Sequence, residues 1–290
     1  MLPAMDPRTP GIRLQANGIV LHCIEAGPKE GPLVILLHGF PEFWWGWRHQ
    51  IEPLARAGFH VLVPDQRGYH FSEKPEGRRA YDLDILAQDV DALIEALGYT
   101  RCTLVGHDWG GLVAWWTASR YPERIERLVV LNAPHPTIAG SYLRRHPSQM
   151  LRSLYIGLFQ IPYLPEAMLA ANNHQALKRT LLRTSRAGTF SENDLAEYEK
   201  AWAQKGALTA MLNWYRALPL RPPHRLNEKL LMPVLALWGM RDRFLEFGLC
   251  EESLALCVDK QVRRFETASH WLHLEEAGLV NDILLDFMKA

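Results

Sequence analysis

The amino-acid sequence predicts an α/β fold, in which a mostly parallel central sheet is flanked by helices and one helical region is inserted. Two observations predict this fold. Short apolar runs alternate with longer segments whose apolar residues recur at helical spacing, as in buried parallel strands joined by crossover helices. One long region, about 136–225, interrupts this alternation and shows helical patterns only.

The apolar runs are short enough to be strands that are buried on both faces. They lie at 33–37, 60–64, 102–105, 127–132 and 233–238, with a weaker run at 261–265. The segments between them include amphipathic patterns at 82–97, 112–121 and 279–288. Asp82 stands at the start of the first pattern, where an aspartate favours a helix N-terminus.

The interrupting region is expected to be a helical cap domain. It contains helical patterns at 195–204 and 208–216. Prolines separate its segments, at Pro147, Pro162, Pro165, Pro219, Pro222 and Pro223. We therefore predict a core domain made of 1–135 and 226–290, with a cap domain at 136–225.

Composition narrows the class of protein. The chain has 290 residues and is 48% hydrophobic, enough to bury a substantial core. Lysine plus arginine number 32, as do aspartate plus glutamate, so the charge gives no reason to expect a nucleic-acid partner. The four cysteines lack CxxC spacing, which favours free thiols in a reducing compartment. The sequence shows no apolar leader and no stretch of about 18 apolar residues, so we expect a soluble, cytoplasmic protein without a membrane anchor. We expect it to be a monomer or a homodimer.

The stretch VGHDWGG (105–111) follows one of the predicted strands. It differs from the nucleophile turn G-x-S-x-G in having Asp108 in place of serine. Gly106 and Gly110 permit close backbone approach on either side, and a helix is expected to begin at Trp109. Asp108 is thus a candidate nucleophile at the end of a strand. The alternative is that it simply caps that helix, since aspartate is a favoured N-cap residue.

Three more stretches follow predicted strands. LHGFP (37–41) is placed to supply a backbone N–H of an oxyanion hole, which we assign to Phe40 together with the N–H of Trp109. Asp242 follows the run at 233–238 and is the candidate acid. His270 follows the last run and is the candidate base. The chain order nucleophile, acid, histidine is that of a known catalytic arrangement.

With these motifs the sequence resembles the α/β-hydrolase superfamily, in its epoxide hydrolase and haloalkane dehalogenase branch, whose nucleophile is aspartate. The resemblance runs from about residue 13 to 288. Its strongest segments are HGFPEFWWGWR (38–48), DQRGY (65–69), VGHDWGG (105–111), NAPHP (132–136) and ASHW (268–271). It implies the α/β-hydrolase fold.

The resemblance also implies a covalent mechanism. Asp108 would open the substrate and form an alkyl-enzyme ester, because a carboxylate is an adequate nucleophile toward a strained or halogen-bearing sp³ carbon. His270, oriented by Asp242, would then activate water to hydrolyse the ester. The N–H groups of Phe40 and Trp109 would hold the developing oxyanion.

Two tyrosines favour an epoxide substrate. Epoxide hydrolases of the resembled family use two cap tyrosines to assist the leaving oxygen, and the strings around Tyr155 (SLYIGLFQIPYLPE) and Tyr215 (NWYR) are similar to those cap segments. The alternative is that both are core aromatics. The expected partners are a small apolar epoxide and water.

Other activities in the superfamily stay open as alternatives. Haloacid dehalogenases acting on fluoroacetate usually have arginine at the places held here by Trp109 and Leu112. Haloalkane dehalogenases commonly have asparagine or another polar residue where this chain has Phe40. A non-catalytic small-ligand receptor would have no need of the Asp242–His270 pair.

Several remaining residues have structural interpretations. We expect His38 to stabilise its loop and His107 to pack beside the nucleophile turn. His273, three residues after His270, lies outside the family-like string, and Glu246 is a weak substitute for the acid. The tryptophans of FWWGW (43–47) are expected to pack between core and cap, some of them lining the substrate entry.

No cofactor and no metal are expected. The histidines, acidic residues and cysteines form no tight ligand cluster along the chain, and neither a Rossmann nor a P-loop fingerprint occurs. One departure from the family has no mechanistic consequence that the sequence reveals: residues 69–72 read YHFS, where relatives often have Gly-x-Ser.

Overall fold

A computed structural model of the chain describes residues 6, 9–220 and 229–289. Its centre is an eight-stranded sheet with the strand order β1-β2-β4-β3-β5-β6-β7-β8. The strands are β1 Ile12–Ala16, β2 Ile19–Ala26, β3 Leu33–Leu37, β4 His60–Pro64, β5 Cys102–His107, β6 Ile125–Leu131, β7 Val234–Gly239 and β8 Lys260–Phe265.

The sheet is mostly parallel, as predicted. Strand β2 pairs antiparallel with both β1 and β4, and the pairings from β4 across to β8 are parallel. Every residue of β3, β4, β5 and β7 is buried, because helices cover both faces of the parallel part. All six predicted runs are strands.

The sequence analysis missed the hairpin formed by β1 and β2. Strand β1 alternates partly buried and exposed residues, and β2 carries the polar side chains of His22 and Glu25. Neither is a wholly apolar run, because this edge of the sheet is covered on fewer sides.

Helices fill the connections. They are α1 Arg48–Arg56, α2 Leu83–Ala96, α3 Trp109–Arg120, α4 Pro136–Arg145, α5 Pro147–Arg152, α6 Leu154–Phe159, α7 Leu164–Thr184, α8 Glu192–Trp202, α9 Ala207–Ala217, α10 Phe247–Leu254, α11 Leu272–Glu275 and α12 Ala277–Lys289. Each predicted helix is present. As expected, Asp82 caps α2, its side chain accepting a hydrogen bond from the N–H of Asp84.

The segment 136–220, which we call the helical insertion, lies between β6 and β7. It contains α4 to α9 and, among its residues, no strand. Helix α7 is interrupted at 171–174, where Asn172, Asn173 and His174 have positive φ angles. The predicted boundary at 225/226, with Pro222 and Pro223, lies outside the described residues, so the division into two domains stays a prediction.

Two findings concern the expected free thiols and the expected absence of a membrane anchor. All four cysteines are buried and free. Of the helices in the described ranges, none combines the length and the apolar character that a membrane crossing requires.

Candidate active site

Asp108 occupies a strained turn between β5 and α3. Its backbone angles are φ 51° and ψ −119°, a conformation that a residue with a side chain rarely adopts. Close packing enforces the turn: a β-carbon on Gly106 would lie 2.3 Å from the carbonyl oxygen of Gly110, and one on Gly110 would lie 2.1 Å from that of Leu37. The turn therefore holds the Asp108 side chain out at the carboxyl edge of the sheet.

The carboxylate of Asp108 does not cap α3. Its side chain makes no cap hydrogen bond, so the capping interpretation is wrong. Instead Oδ1 accepts a hydrogen bond from the backbone N–H of Phe40 at 2.8 Å. The loop reaches this close because residue 39 is glycine: a β-carbon there would lie 2.4 Å from Cβ of Asp108. Trp109 is the first residue of α3, where backbone N–H groups have no acceptor within the helix.

His270 and Asp242 meet Asp108 at this edge of the sheet. His270 Nε2 lies 3.5 Å from Asp108 Oδ2, and its Nδ1 lies 2.7 Å from Asp242 Oδ2. The three side chains predicted from widely separated strand ends are therefore in contact. Asp242 is itself fixed, since Oδ1 accepts from the N–H groups of Phe244 (2.6 Å) and Leu245 (3.0 Å).

Asn132, at the end of β6, is a site residue that the sequence analysis missed. Its Nδ2 donates to Asp242 Oδ2, and its Oδ1 accepts from the N–H of Gly239 at 2.8 Å. Asn132 has a positive φ of 41°, a conformation that asparagine tolerates better than most residues. It belongs to the family-like string NAPHP, which was the available signal.

The charges of this cluster are coupled. Burial disfavours the imidazolium of His270, but the carboxylates of Asp242 and Asp108 outweigh burial and raise the pKa of His270 to about 10. Burial likewise opposes ionisation of Asp242, yet its contacts with His270 and Asn132 leave the pKa of this carboxyl below its ordinary value. The two carboxylates thus favour the protonated form of His270 in the resting site.

Tyr155 on α6 and Tyr215 on α9 face Asp108 from the helical insertion. Both line the cavities that Asp108 lines, and their ring centroids lie 6.0 Å apart. Burial is the main cause that raises the pKa of both phenols, and the charge of Asp108 adds to it. The hydroxyl groups therefore stay protonated and available as donors.

The space around Asp108 has two lobes. The first, of about 260 Å³, is lined by Phe40, Pro41, Phe159, Leu169, Leu177, Thr180, Phe244 and Trp271, together with His270. The second, of about 210 Å³, extends on the α4 side and is lined by residues such as Leu112, Leu143, Ile156 and Leu249. Asp108 and the two tyrosines line both lobes. Polar groups thus converge on one point of an otherwise apolar cavity.

The tryptophans of FWWGW were expected to pack between the core and the cap. They are buried in a 3₁₀ turn at Trp44–Trp47, and Trp45 Nε1 donates to Asp194 Oδ1 of the helical insertion at 2.8 Å. They therefore pack between the two parts of the chain. Among the described residues that line the two lobes, none belongs to this run, and the expectation that some line the substrate entry stays a prediction.

His38 and His107, for which the sequence predicted structural roles, lie near the site. His38 Nε2 accepts from the N–H of Gln66 at 3.1 Å, which holds its loop as expected. His107 packs behind the turn: Nε2 donates to the carbonyl oxygen of His270 at 2.9 Å, and Nδ1 lies 3.1 Å from Oε2 of Glu42. Glu42 is a second residue that the sequence analysis missed, although it lies in the family-like string HGFPEFWWGWR.

The two substitutes considered for catalytic residues lie elsewhere. His273 is fully buried beside Glu42, its Nε2 3.6 Å from Oε2 of that residue. Glu246 accepts a hydrogen bond from the hydroxyl of Tyr142 at 3.3 Å and lies 3.6 Å from Arg152. Neither residue lines the cavity with Asp108.

The sequence positions give no tight cluster of metal-ligand residues along the chain, but residues from separate segments meet in the fold. Folding brings together two buried groups whose ligand atoms lie within 4.8 Å of one another, namely His22, Asp65 and His70, and Glu42, His107 and His273. The sequence did not reveal them because each group joins residues that are far apart in the chain: His22 lies 43 positions from Asp65, and Glu42 lies 65 positions from His107.

Comparison with known proteins identifies the family to which the chain belongs. A family profile described as the α/β hydrolase fold matches residues 32–277. A curated relative, the AB hydrolase superfamily protein YfhM of Bacillus subtilis, is 43% identical over 96% of this chain and 99% of its own length. Epoxide hydrolase 4 of Mus musculus is 37% identical over 96% of this chain and 79% of its own length.

Solved structures give the same result. The crystal structure of an epoxide hydrolase from Bacillus megaterium in complex with an inhibitor superimposes with a TM-score of 0.88 and 32% identity, covering 96% of this chain and all of that one (100%). The chain therefore belongs to the α/β-hydrolase superfamily, in its epoxide hydrolase family, and is a hydrolase.

Proposed function

We propose that this protein hydrolyses epoxides to vicinal diols through a covalent ester on Asp108. One observation carries the proposal: a carboxylate in a nucleophile turn faces two buried tyrosines across an apolar cavity and has a histidine–aspartate pair behind it. The names and structures of the relatives support the same activity.

In the first step Asp108 Oδ2 attacks a ring carbon of the oxirane. The C–O bond of the ring breaks, and its electron pair goes to the oxygen, which stays attached to the substrate. Tyr155 and Tyr215 donate hydrogen bonds to that oxygen as negative charge develops, and one phenol proton completes the alcohol. The phenolate left behind is reprotonated by the proton that His270 gives up once Asp108 is an ester. The product is a hydroxyalkyl ester of Asp108.

The Phe40 contact selects which oxygen attacks. Oδ1 of Asp108 is held by the N–H of Phe40, while Oδ2 is on the His270 side. The N–H that orients the carboxylate is thus in place to hold the oxyanion later formed at the ester carbonyl. The N–H of Trp109 is the second donor in this proposal.

In the second step His270 takes a proton from water, and the hydroxide attacks the ester carbonyl carbon of Asp108. Esterification neutralises Asp108, which removes one of the two carboxylates that raise the pKa of His270. The pKa of His270 therefore falls once the ester has formed, and the imidazole becomes a base when water must be activated. The tetrahedral intermediate collapses by breaking the ester C–O bond to the substrate, and the departing oxygen takes the proton of the newly added hydroxyl group. The diol leaves, and the Asp108 carboxylate and the protonated His270 are restored.

The cavity supports a small apolar substrate. Aliphatic and aromatic side chains line both lobes, while the groups able to act on an oxirane are shared between them. Phe40 stands where haloalkane dehalogenases commonly have a polar residue that binds halide, and Trp109 and Leu112 stand where fluoroacetate dehalogenases usually have arginine. The indole N–H of Trp109 does not discriminate between epoxide and haloalkane, since both branches carry tryptophan there.

The experiment is a parallel activity screen of one preparation with styrene oxide, a long-chain epoxide, a bromoalkane and fluoroacetate. We expect diol from at least one epoxide, with no bromide or fluoride release. Halide release without diol formation would replace the proposal with a dehalogenase. Turnover of none of the four by folded protein would favour the non-catalytic receptor.

A further inference from the structure

A second histidine–carboxylate cluster lies away from the active site, and the proposed catalysis makes no use of it. It joins His22 on β2 with Asp65, directly after β4, and His70 in the loop that follows. Nδ1 of His22 lies 2.6 Å from Asp65 Oδ2, and Nδ1 of His70 lies 2.8 Å from the same oxygen. Two imidazoles therefore converge on one carboxylate oxygen.

The rest of Asp65 is fixed by hydrogen bonds. Its Oδ1 accepts from the backbone N–H of Trp44 at 3.0 Å. Its backbone carbonyl accepts from the hydroxyl of Ser72, whose oxygen in turn accepts from the N–H of His22 at 2.9 Å. The carboxylate is thus oriented by its surroundings, as the carboxylates of protein metal sites are.

His70 is held against Asp65 in an unfavourable backbone conformation. Its φ is 40°, in the left-handed region, where a residue with a β-carbon is strained. Lys74 Nζ donates to the carbonyl oxygen of His70 at 2.6 Å and helps to hold the loop. Glycine would adopt this conformation without strain, so the backbone conformation does not favour histidine at this position.

The geometry points to a binding site for one divalent transition-metal ion, of which Zn²⁺ is the type, with His22, Asp65 and His70 as ligands. Two imidazoles and one carboxylate are a known ligand set for zinc, and water would complete the coordination. The three ligand atoms already lie within 4.8 Å of one another. The site is distinct from the active site and does not depend on the proposed function.

Loading the site requires only a small adjustment. Ligand atoms of a tetrahedral zinc site stand about 3.3 Å apart at zinc–ligand distances of about 2.0 Å. The present Nδ1-to-Oδ2 distances are 2.6 and 2.8 Å, so the imidazoles must move outward by roughly half an ångström. In the metal-bound state each ring carries its proton on Nε2, which leaves Nδ1 free for the metal.

The two histidines of this cluster are not wholly shielded from solvent. His22 and His70 each keep 8% of their surface exposed, and both rings pack against Phe71, which is 48% exposed. The other cluster, of Glu42, His107 and His273, has at most 1% exposure at any member. For this reason we assign metal binding to the first cluster.

The test is titration of the metal-free protein with Zn²⁺ by calorimetry and with Co²⁺ by visible absorption. We expect one equivalent to bind, with the absorption of a low-symmetry nitrogen–oxygen site. His70→Gly and His22→Gln should each weaken binding at least about 100-fold, since each removes one ligand. His70→Gly is also expected to keep the fold, because glycine relieves the left-handed strain.

His60→Gln is the matched control. His60 is a buried histidine on β4, and its Nε2 lies 2.9 Å from Oε1 of Glu25, so it too pairs with a carboxylate on this sheet. Its substitution should leave metal affinity within about twofold of wild type. Absence of stoichiometric binding at micromolar metal, or wild-type affinity in His70→Gly, would overturn the proposal and leave the cluster a hydrogen-bonded support of the loop.

Discussion

The two sides of the cavity are built differently. The floor consists of Asp108, Asp242 and His270, which follow strands of the parallel sheet, and hydrogen bonds fix them. The roof consists of Tyr155 and Tyr215, carried on helices α6 and α9 of the helical insertion. The floor is therefore positioned by the sheet, and the roof by packing between helices.

Aromatic contacts dominate the roof. The ring of Tyr215 lies 5.3 Å from that of Phe40, 4.9 Å from that of Trp109 and 5.1 Å from that of Phe159. Such contacts place a ring without dictating what its hydroxyl does. In the proposed mechanism this difference corresponds to a division of labour: the floor makes and breaks the covalent bond, and the roof stabilises the leaving oxygen.

The largest effect is expected from removing the nucleophile. Asp108→Ala should lower epoxide turnover by at least about 10⁴-fold, since no covalent ester can form. Steady-state kinetics gives the loss, and circular dichroism checks that the protein is folded. A folded variant that retains more than a few per cent of the activity would contradict the assignment of Asp108 as the nucleophile.

The next effect separates the two steps within the floor. In the His270→Gln variant the epoxide should still alkylate Asp108, but ester hydrolysis should be slower by about 10²- to 10⁴-fold, the range for loss of a general base. Mass spectrometry of the variant with excess substrate should show the protein plus one epoxide. An inactive, folded and unmodified protein would mean that His270 acts before or during ring opening.

A smaller effect is expected from the roof. Tyr155→Phe and Tyr215→Phe should each slow alkylation by about 10²-fold, because each removes one preorganised donor. Pre-steady-state measurement should find ester hydrolysis nearly unchanged in both. The double variant tests the alternative that both tyrosines are core aromatics. Circular dichroism should first show that it is folded. Near-normal epoxide turnover by the folded double variant would contradict the division of labour and reopen the dehalogenase alternatives.

The smallest change probes the charge coupling between the steps. Asp108→Asn imitates the neutral ester, so it should lower the pKa of His270 from its value of about 10. In the free wild-type protein the imidazole is then protonated below about pH 10, and in the variant it loses its proton at lower pH. Histidine NMR titrations of both proteins provide the measurement. An unchanged pKa would show that Asp108 has no part in poising the base.

The same division explains how much the sequence revealed. Asp108 and Asp242 follow apolar runs closely, and His270 follows the weaker run at 261–265, so strand patterns helped to locate the floor. Tyr155 and Tyr215 have no such marker, because helical periodicity does not distinguish a cavity tyrosine from a core one. Only the similarity of the surrounding strings to family segments selected them.

Contacts between distant segments lay beyond the sequence. His22 and Asp65 are separated by 43 positions and His107 and Glu42 by 65, so no local motif joins them. Folding also decided that Asp108 accepts a hydrogen bond from Phe40 rather than capping its helix, which depends on the close approach of Gly39. The β1–β2 hairpin was missed because its strands mix polar and apolar residues.

The covalent role of Asp108 is tested most directly by a single turnover in ¹⁸O-labelled water, with protein in excess over an epoxide. The ester mechanism predicts that the first diol contains no label, because its new oxygen comes from the Asp108 carboxylate, and that the label appears in Asp108 itself by mass spectrometry of its peptide. Label in the first-turnover diol, with none in the Asp108 peptide, would show direct attack by water and contradict the mechanism.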